Sequence, residues 1–171
     1  LGEVAGDMGT RHPDFAVVDL RFNGGGTDAT NAFAEELPAL VSKDGPIYIV
    51  TSRQTFSAGI GAAAQIKRFA GDRVRIVGGL VGDRLRFVAN GGTLFMLPNS
   101  GISTRVWSTI EDYADGCWEW RECFVLSPFF RTEGVGDLEP HIEIPVNFAD
   151  YVSNRDAALD AILADIKRRQ N

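Results

Sequence analysis

Two short apolar runs, Phe15-Ala16-Val17-Val18 and Pro46-Ile47-Tyr48-Ile49-Val50, constrain this chain more than any other feature. Both are rich in β-branched residues and bounded by turn formers, the pattern of buried strands. Each also delivers an unusual turn at its C-terminal end. The first leads through Asp19-Leu20-Arg21-Phe22-Asn23 into Gly24-Gly25-Gly26, whose backbone N–H groups can approach a ligand closely. The second leads into Thr55-Phe56-Ser57-Ala58-Gly59 and presents a serine where a helix begins. A hydrolase acting through an acyl-enzyme needs both parts, a nucleophile and donors for the developing oxyanion.

The first half reads as alternating strands and helices. Strands are expected at residues 14–20, 46–51 and 73–77, and helices at 28–42 and 57–70. Phe33, Leu37, Leu40 and Val41 share a face of the first helix, Thr27 or Asp28 can cap it, and Pro38 predicts a kinked or separate last turn. The second helix is crowded with Ala58, Gly59, Gly61, Ala62, Ala63 and Ala64. Glycine costs about 1 kcal/mol against alanine in a helix, so this composition points to close packing on a sheet or another subunit. Strand–helix–strand–helix–strand order places the chain in the α/β class with parallel pairing.

After residue 83 the pattern changes. Short strands are expected at 84–89, 93–97 and 102–107, with Asn90-Gly91-Gly92 as a hairpin turn. Residues 109–140 have no clear period and form an irregular aromatic loop. Trp118 and Trp120 are read there as a cover for the core or a subunit contact, the alternative being an apolar wall for a peptide's side chains. A C-terminal helix is expected over 155–169, capped by Asn154, with Leu159, Ile162, Leu163 and Ile166 as its apolar stripe.

The 171 residues suit one domain, 1–171, with its own core. A formal charge of −6 advertises no nucleic-acid surface, and the basic Lys167-Arg168-Arg169 suits a helix C-terminus. No apolar run approaches the ~20 residues of a membrane span. Cys117 and Cys123 can form a local disulfide or remain free, and no neighbouring ligands suggest a metal. No cofactor motif is present: the glycine run lacks dinucleotide-binding spacing and the Gly-Lys-Ser/Thr of a phosphate loop.

Ser57 has two readings. A serine at a helix start commonly caps it, whereas a nucleophile keeps its hydroxyl free on a tight strand-to-helix turn; Thr55 can take over the capping. Gly24, Gly25 and Gly26 are either a plain turn or ligand-facing donors. Asp19 and Arg21 read as a buried pair that stiffens the turn, and Asn23 as a turn former or a ligand for substrate backbone.

These stretches, with Ile76-Val77-Gly78-Gly79-Leu80-Val81-Gly82-Asp83, Leu138-Glu139-Pro140-His141-Ile142 and Asn154-Arg155-Asp156-Ala157-Ala158-Leu159, resemble the tail-specific or C-terminal processing peptidases of family S41. The resemblance covers roughly residues 10–165. It implies a ClpP/crotonase-like fold of β-β-α units and a serine endopeptidase. It also implies Ser57 as nucleophile, Gly25 and Ala58 as oxyanion donors, and Asn23, Gly24 and Gly26 at the substrate. A peptide or protein substrate, an exported or periplasmic location and a homo-oligomer are consistent with it.

One departure is decisive. The family's processing enzymes place a lysine base where this chain has Asp83, and the adjoining Arg84 stays charged and cannot substitute. The resemblance then points to a histidine base as in the tricorn-like members. His12 and His141 are weak candidates, and a base upstream of Leu1 is preferred, on the expectation that this sequence is a fragment. Glu111, Asp112 or Asp115 can supply a supporting acid. Two rivals stand beside the peptidase: a non-catalytic peptide-binding or assembly module, motivated by the missing lysine, and a crotonase-like acyl-CoA enzyme.

Overall fold

The computed structural model describes residues 1–26 and 30–170. In chain order the elements are α1 (Gly2–Arg11), β1 (Ala16–Asp19), α2 (Asn31–Leu40), β2 (Ile47–Thr51), α3 (Ala58–Ala70), a single 3-10 turn (Gly71–Arg73), β3 (Val74–Gly78), β4 (Arg86–Val88), β5 (Thr93–Met96), β6 (Ser103–Val106), β7 (Ile110–Asp112), β8 (Ile142–Glu143), α4 (Phe148–Val152) and α5 (Ala157–Arg169). They fall into two compact units, Leu1–Gly82 with Leu138–Asn171, and Asp83–Asp137.

The first unit is built on a parallel sheet of order β1-β2-β3-β8. β2 lies inside it and is buried at all five positions, as its unbroken apolar sequence requires. Alternation sends Tyr48 and Val50 to one face, where with Val77 they pack against Ala158, Ile162 and Ile166 of α5. Ile47 and Ile49 are buried on the opposite face. The stripe expected on α5 is therefore displaced: Leu159 and Leu163 are exposed, and Asp165 lies in the buried face instead.

Asp165 is there because Tyr48 reaches it. The Tyr48 hydroxyl donates to Asp165 Oδ2 at 2.8 Å, and Arg168 and Arg169 complete the carboxylate's shell from the basic last turn. Burial disfavours the charged carboxylate, yet the hydrogen bonds from Arg169 and Tyr48 outweigh it and hold its pKa well below the usual range. Burial, then the same hydrogen bond, pushes the Tyr48 phenol up to about 12.

Two helix boundaries differ from expectation for identifiable reasons. α2 begins at Asn31; Thr27 and Asp28, the expected caps, lie outside the described residues. The helix runs through Pro38 and stops two residues later, and Arg73 satisfies this end by donating to the carbonyls of Pro38, Ser42 and Gly45. α5 begins at Ala157, because Asp156 rather than Asn154 caps it, accepting from Leu159 N–H at 3.0 Å.

In the second unit β4 pairs with β7 and β5 with β6, both antiparallel. Asn90-Gly91-Gly92 is thus not the expected hairpin turn. Val88 opposes Ile110 and Thr93 opposes Val106, so residues 89–92 face the shorter stretch 107–109. The extra residue is absorbed as a bulge, with Asn90, Gly91 and Gly92 all at positive φ. A Cβ at Gly92 would lie 1.9 Å from Val106 O, which only glycine avoids. Trp118 and Trp120 do not cover a core in this unit; both stand exposed. The aromatic centre is Tyr113, edge-on to both Phe87 and the fully buried Phe129. Cys117 and Cys123 are disulfide-bonded and close the loop beside it.

Tyr48→Phe is expected to cost about 1 kcal/mol at pH 7, read by chemical denaturation. Because the folded Asp165 pKa is depressed, its contribution is complete above the unfolded carboxylate value of about 4 and is withdrawn as pH falls. The stability gap between wild type and Asp165→Asn should therefore narrow below about pH 4. A gap independent of pH would contradict this.

Candidate active site

The C-terminal ends of β1 and β2 bring the two special turns together. Asn23 N–H donates to Leu20 O, closing the first turn, and Phe56 N–H donates to Asn23 O at 2.9 Å, joining it to the second. Gly59, in the first turn of α3, completes the junction: a Cβ there would stand 2.5 Å from Asn23 O. The small residues at the start of α3 thus admit the backbone of the glycine turn.

Ser57 occupies the residue before α3 with φ 50° and ψ −121°, a conformation that L residues rarely adopt and that costs on the order of 1–3 kcal/mol. Its side chain does not cap the helix. Thr55 does not cap it either, contrary to expectation. It donates to Leu20 O at 2.8 Å and accepts from Ser52 N–H, pinning the two strand ends together. The half-buried Ser57 hydroxyl makes no hydrogen bond among the described residues.

The glycine run passes directly over this serine. A Cβ at Gly25, where φ is +107°, would lie 2.6 Å from Ser57 Cβ and 3.1 Å from its Oγ. The Ala58 N–H has no partner among the described residues and opens α3 beside Ser57, where the helix dipole favours negative charge. The Gly25 N–H is engaged: it donates to Asn23 Oδ1 at 3.0 Å. A cleft of about 550 Å³ lies alongside, lined by Asp19, Phe22, Asn23, Gly24 and Gly25, with the Phe22 ring exposed to it.

Arg21 fixes this arrangement from behind. Its Nε lies 3.0 Å from both Asp19 oxygens, and its two terminal nitrogens grip Asp156 at 3.0 and 2.8 Å. Its carbonyl accepts from Ser52 Oγ. The expected Asp19–Arg21 pair exists, but it is half-exposed rather than buried. The stronger partner, Asp156, escaped sequence reasoning because it lies 135 positions away. Its only sequence signal was a carboxylate at a helix start. The hydrogen bonds to Asp156 raise the Arg21 pKa, and Arg21 in turn holds the Asp156 carboxyl below its ordinary value.

The two histidine candidates are placed elsewhere. His12 ends α1 in a left-handed conformation, four residues before β1, so it stands at the N-terminal end of the parallel strands while Ser57 stands at the C-terminal end. Ile76 N–H donates to His141 Nδ1, and His141 N–H to Ile76 O, so this histidine continues the sheet edge. Asp83 is exposed, opens the second unit and accepts from Arg84 N–H. In that unit Glu111 accepts from Asn90, and Asp112 accepts from Ala114 and Asp115 N–H and faces Arg86 at 3.6 Å. Among the described residues no cluster of His, Cys, Asp or Glu could hold a metal, and no helix is long and apolar enough to cross a membrane.

No protein-family profile and no curated protein matches the sequence. Among solved structures, the fold is similar to that of a Bacteroides fragilis protein provisionally named as an S41 protease, at TM-score 0.50 and 16% identity. The similarity covers 91% of this chain and 45% of that one, so the chain spans less than half the neighbour's length. The fold is thus S41-protease-like: mixed α/β, with a parallel sheet.

Gly59→Ala separates the site's packing from helix propensity. Propensity alone would stabilise α3 by about 1 kcal/mol. The close approach to Asn23 O is to backbone and cannot yield, so a net fall in Tm is expected, with loss of whatever reactivity Ser57 has. A rise in Tm would contradict the close approach.

Proposed function

We propose that this chain is the catalytic domain of an S41-type serine endopeptidase of ClpP/crotonase-like fold. Ser57 Oγ attacks the scissile carbonyl, the peptide amine leaves with a proton, and water hydrolyses the resulting acyl-enzyme. The oxyanion lies between the N–H groups of Ala58 and Gly25, donors whose removal typically costs about 10²–10³ in rate. Asn23, Gly24 and Gly26 border the peptide. Asp83 takes the place of the family's lysine without its chemistry, and the proton acceptor is assigned to residues outside this sequence.

The observation that carries this reading is the uncapped, strained Ser57 hydroxyl facing Gly25. Strain at a non-glycine residue persists where surrounding structure imposes it, and here it leaves the hydroxyl free at a helix N-terminus. The fold similarity adds support at the level of architecture. The disulfide fits the exported location this reading includes, since disulfides persist in oxidising compartments.

A second reading, a non-catalytic peptide-binding relative, is favoured by one observation: Gly25 N–H is already occupied by Asn23. Incubating the full-length protein with unstructured peptides separates the two. Turnover that Ser57→Ala reduces by at least about 10³ is expected, a loss on the scale of a missing nucleophile. Turnover unchanged by Ser57→Ala would remove the nucleophile assignment, and peptide binding without turnover would establish the second reading.

A further inference from the structure

Resting on the peptidase reading, we infer that the Asn23 carboxamide is a built-in competitor for the oxyanion site. Asn23 Oδ1 accepts the Gly25 N–H at 3.0 Å, the same donor a tetrahedral intermediate on Ser57 would require. The competitor is held lightly. Its backbone is fixed at both ends, by Leu20 O and Phe56 N–H, but its side chain makes this one hydrogen bond among the described residues. Rotation of the side chain alone therefore frees the donor without moving the turn.

The chemistry selects what can displace it. The carbonyl of an intact peptide is a neutral acceptor like Asn23 Oδ1 and gains nothing by the exchange. An oxyanion is charged, and charge-assisted hydrogen bonds are roughly twice as strong. The contact thus withholds the donor from a neutral acceptor and yields it only to an oxyanion, and because it must be broken on the way to the transition state it costs rate that its removal recovers. It also separates Asn23 from a residue that only shapes the turn.

The test is the second-order rate of Ser57 labelling by an alkyl fluorophosphonate, whose phosphonyl oxygen occupies the oxyanion position, in full-length wild type and in Asn23→Ala, Asn23→Ser and Asn23→Asp. As a competitor, Asn23 predicts the order Ala, Ser, wild type, Asp from fastest to slowest. Alanine frees the donor, and aspartate holds it more tightly and repels the incoming charge. Several-fold acceleration in Asn23→Ala and at least tenfold slowing in Asn23→Asp are expected. A turn-shaping residue predicts the reverse, since aspartate makes the same local turn and alanine cannot. That reversed order overturns the inference while leaving the peptidase reading intact. Labelling of Asn23→Ala alone, with wild type inert, supports it; absence of Ser57-dependent labelling in every variant refutes both. The Gly25 amide temperature coefficient gives a reading independent of labelling. It should be small in wild type and rise in Asn23→Ala, and equal values would refute the contact.

Discussion

One guanidinium ties together the parts from which the candidate site is assembled. Arg21 follows the end of β1, grips the N-cap carboxylate of α5 with two nitrogens, and is held through its carbonyl by Ser52 at the end of β2. Arginine suits this place because its planar fork matches a carboxylate in two hydrogen bonds, which a lysine cannot do. The groups are only part-buried, so their energetic contribution is modest. What the fork supplies is register: the glycine turn is fixed relative to a helix that is itself anchored through the buried Tyr48–Asp165 contact.

With that frame set, the site depends on absent side chains. Gly25 and Gly59 let the glycine turn and the start of α3 meet at distances no Cβ would tolerate. Gly78 and Gly82 do the same just beyond, where added Cβ atoms would stand 2.3 Å from Thr51 O and 2.4 Å from Arg53 O. Compression leaves Ser57 little freedom, and its positive φ is the result. The serine is thus presented by backbone packing, in the way a nucleophile must be if its hydroxyl is to stay free for substrate.

The sequence disclosed the strands best, because β1, β2 and β3 are short β-branched runs; β2 is buried throughout, whereas β1, expected to be buried as well, lies at the sheet edge and buries only Ala16. It disclosed the two turns as well, since glycines after one strand and a serine after the next are local signals. It did not disclose partners decided by tertiary proximity. Asp156 reads as a carboxylate at a helix start until Arg21 is seen beside it, and Asp165 lies outside the expected apolar stripe until Tyr48 reaches it. Asn90-Gly91-Gly92 showed its positive φ but not its setting, because a bulge and a hairpin turn need the same residues. α1 went unread: its i,i+4 pair Asp7–Arg11 is a weak signal, and it buries no residue. Trp118 and Trp120 lie outside the core of their unit, because Phe129 and Tyr113 fill its centre.

The central claim is that Ser57 and the glycine turn form one oxyanion-binding site. The most direct measurement is a crystal structure of the full-length protein carrying a phosphonate on Ser57. The phosphonyl oxygen should lie about 2.7–3.1 Å from both Ala58 N and Gly25 N, with the Asn23 carboxamide turned away. A phosphonyl oxygen directed to solvent, with Gly25 N–H still on Asn23, would contradict it.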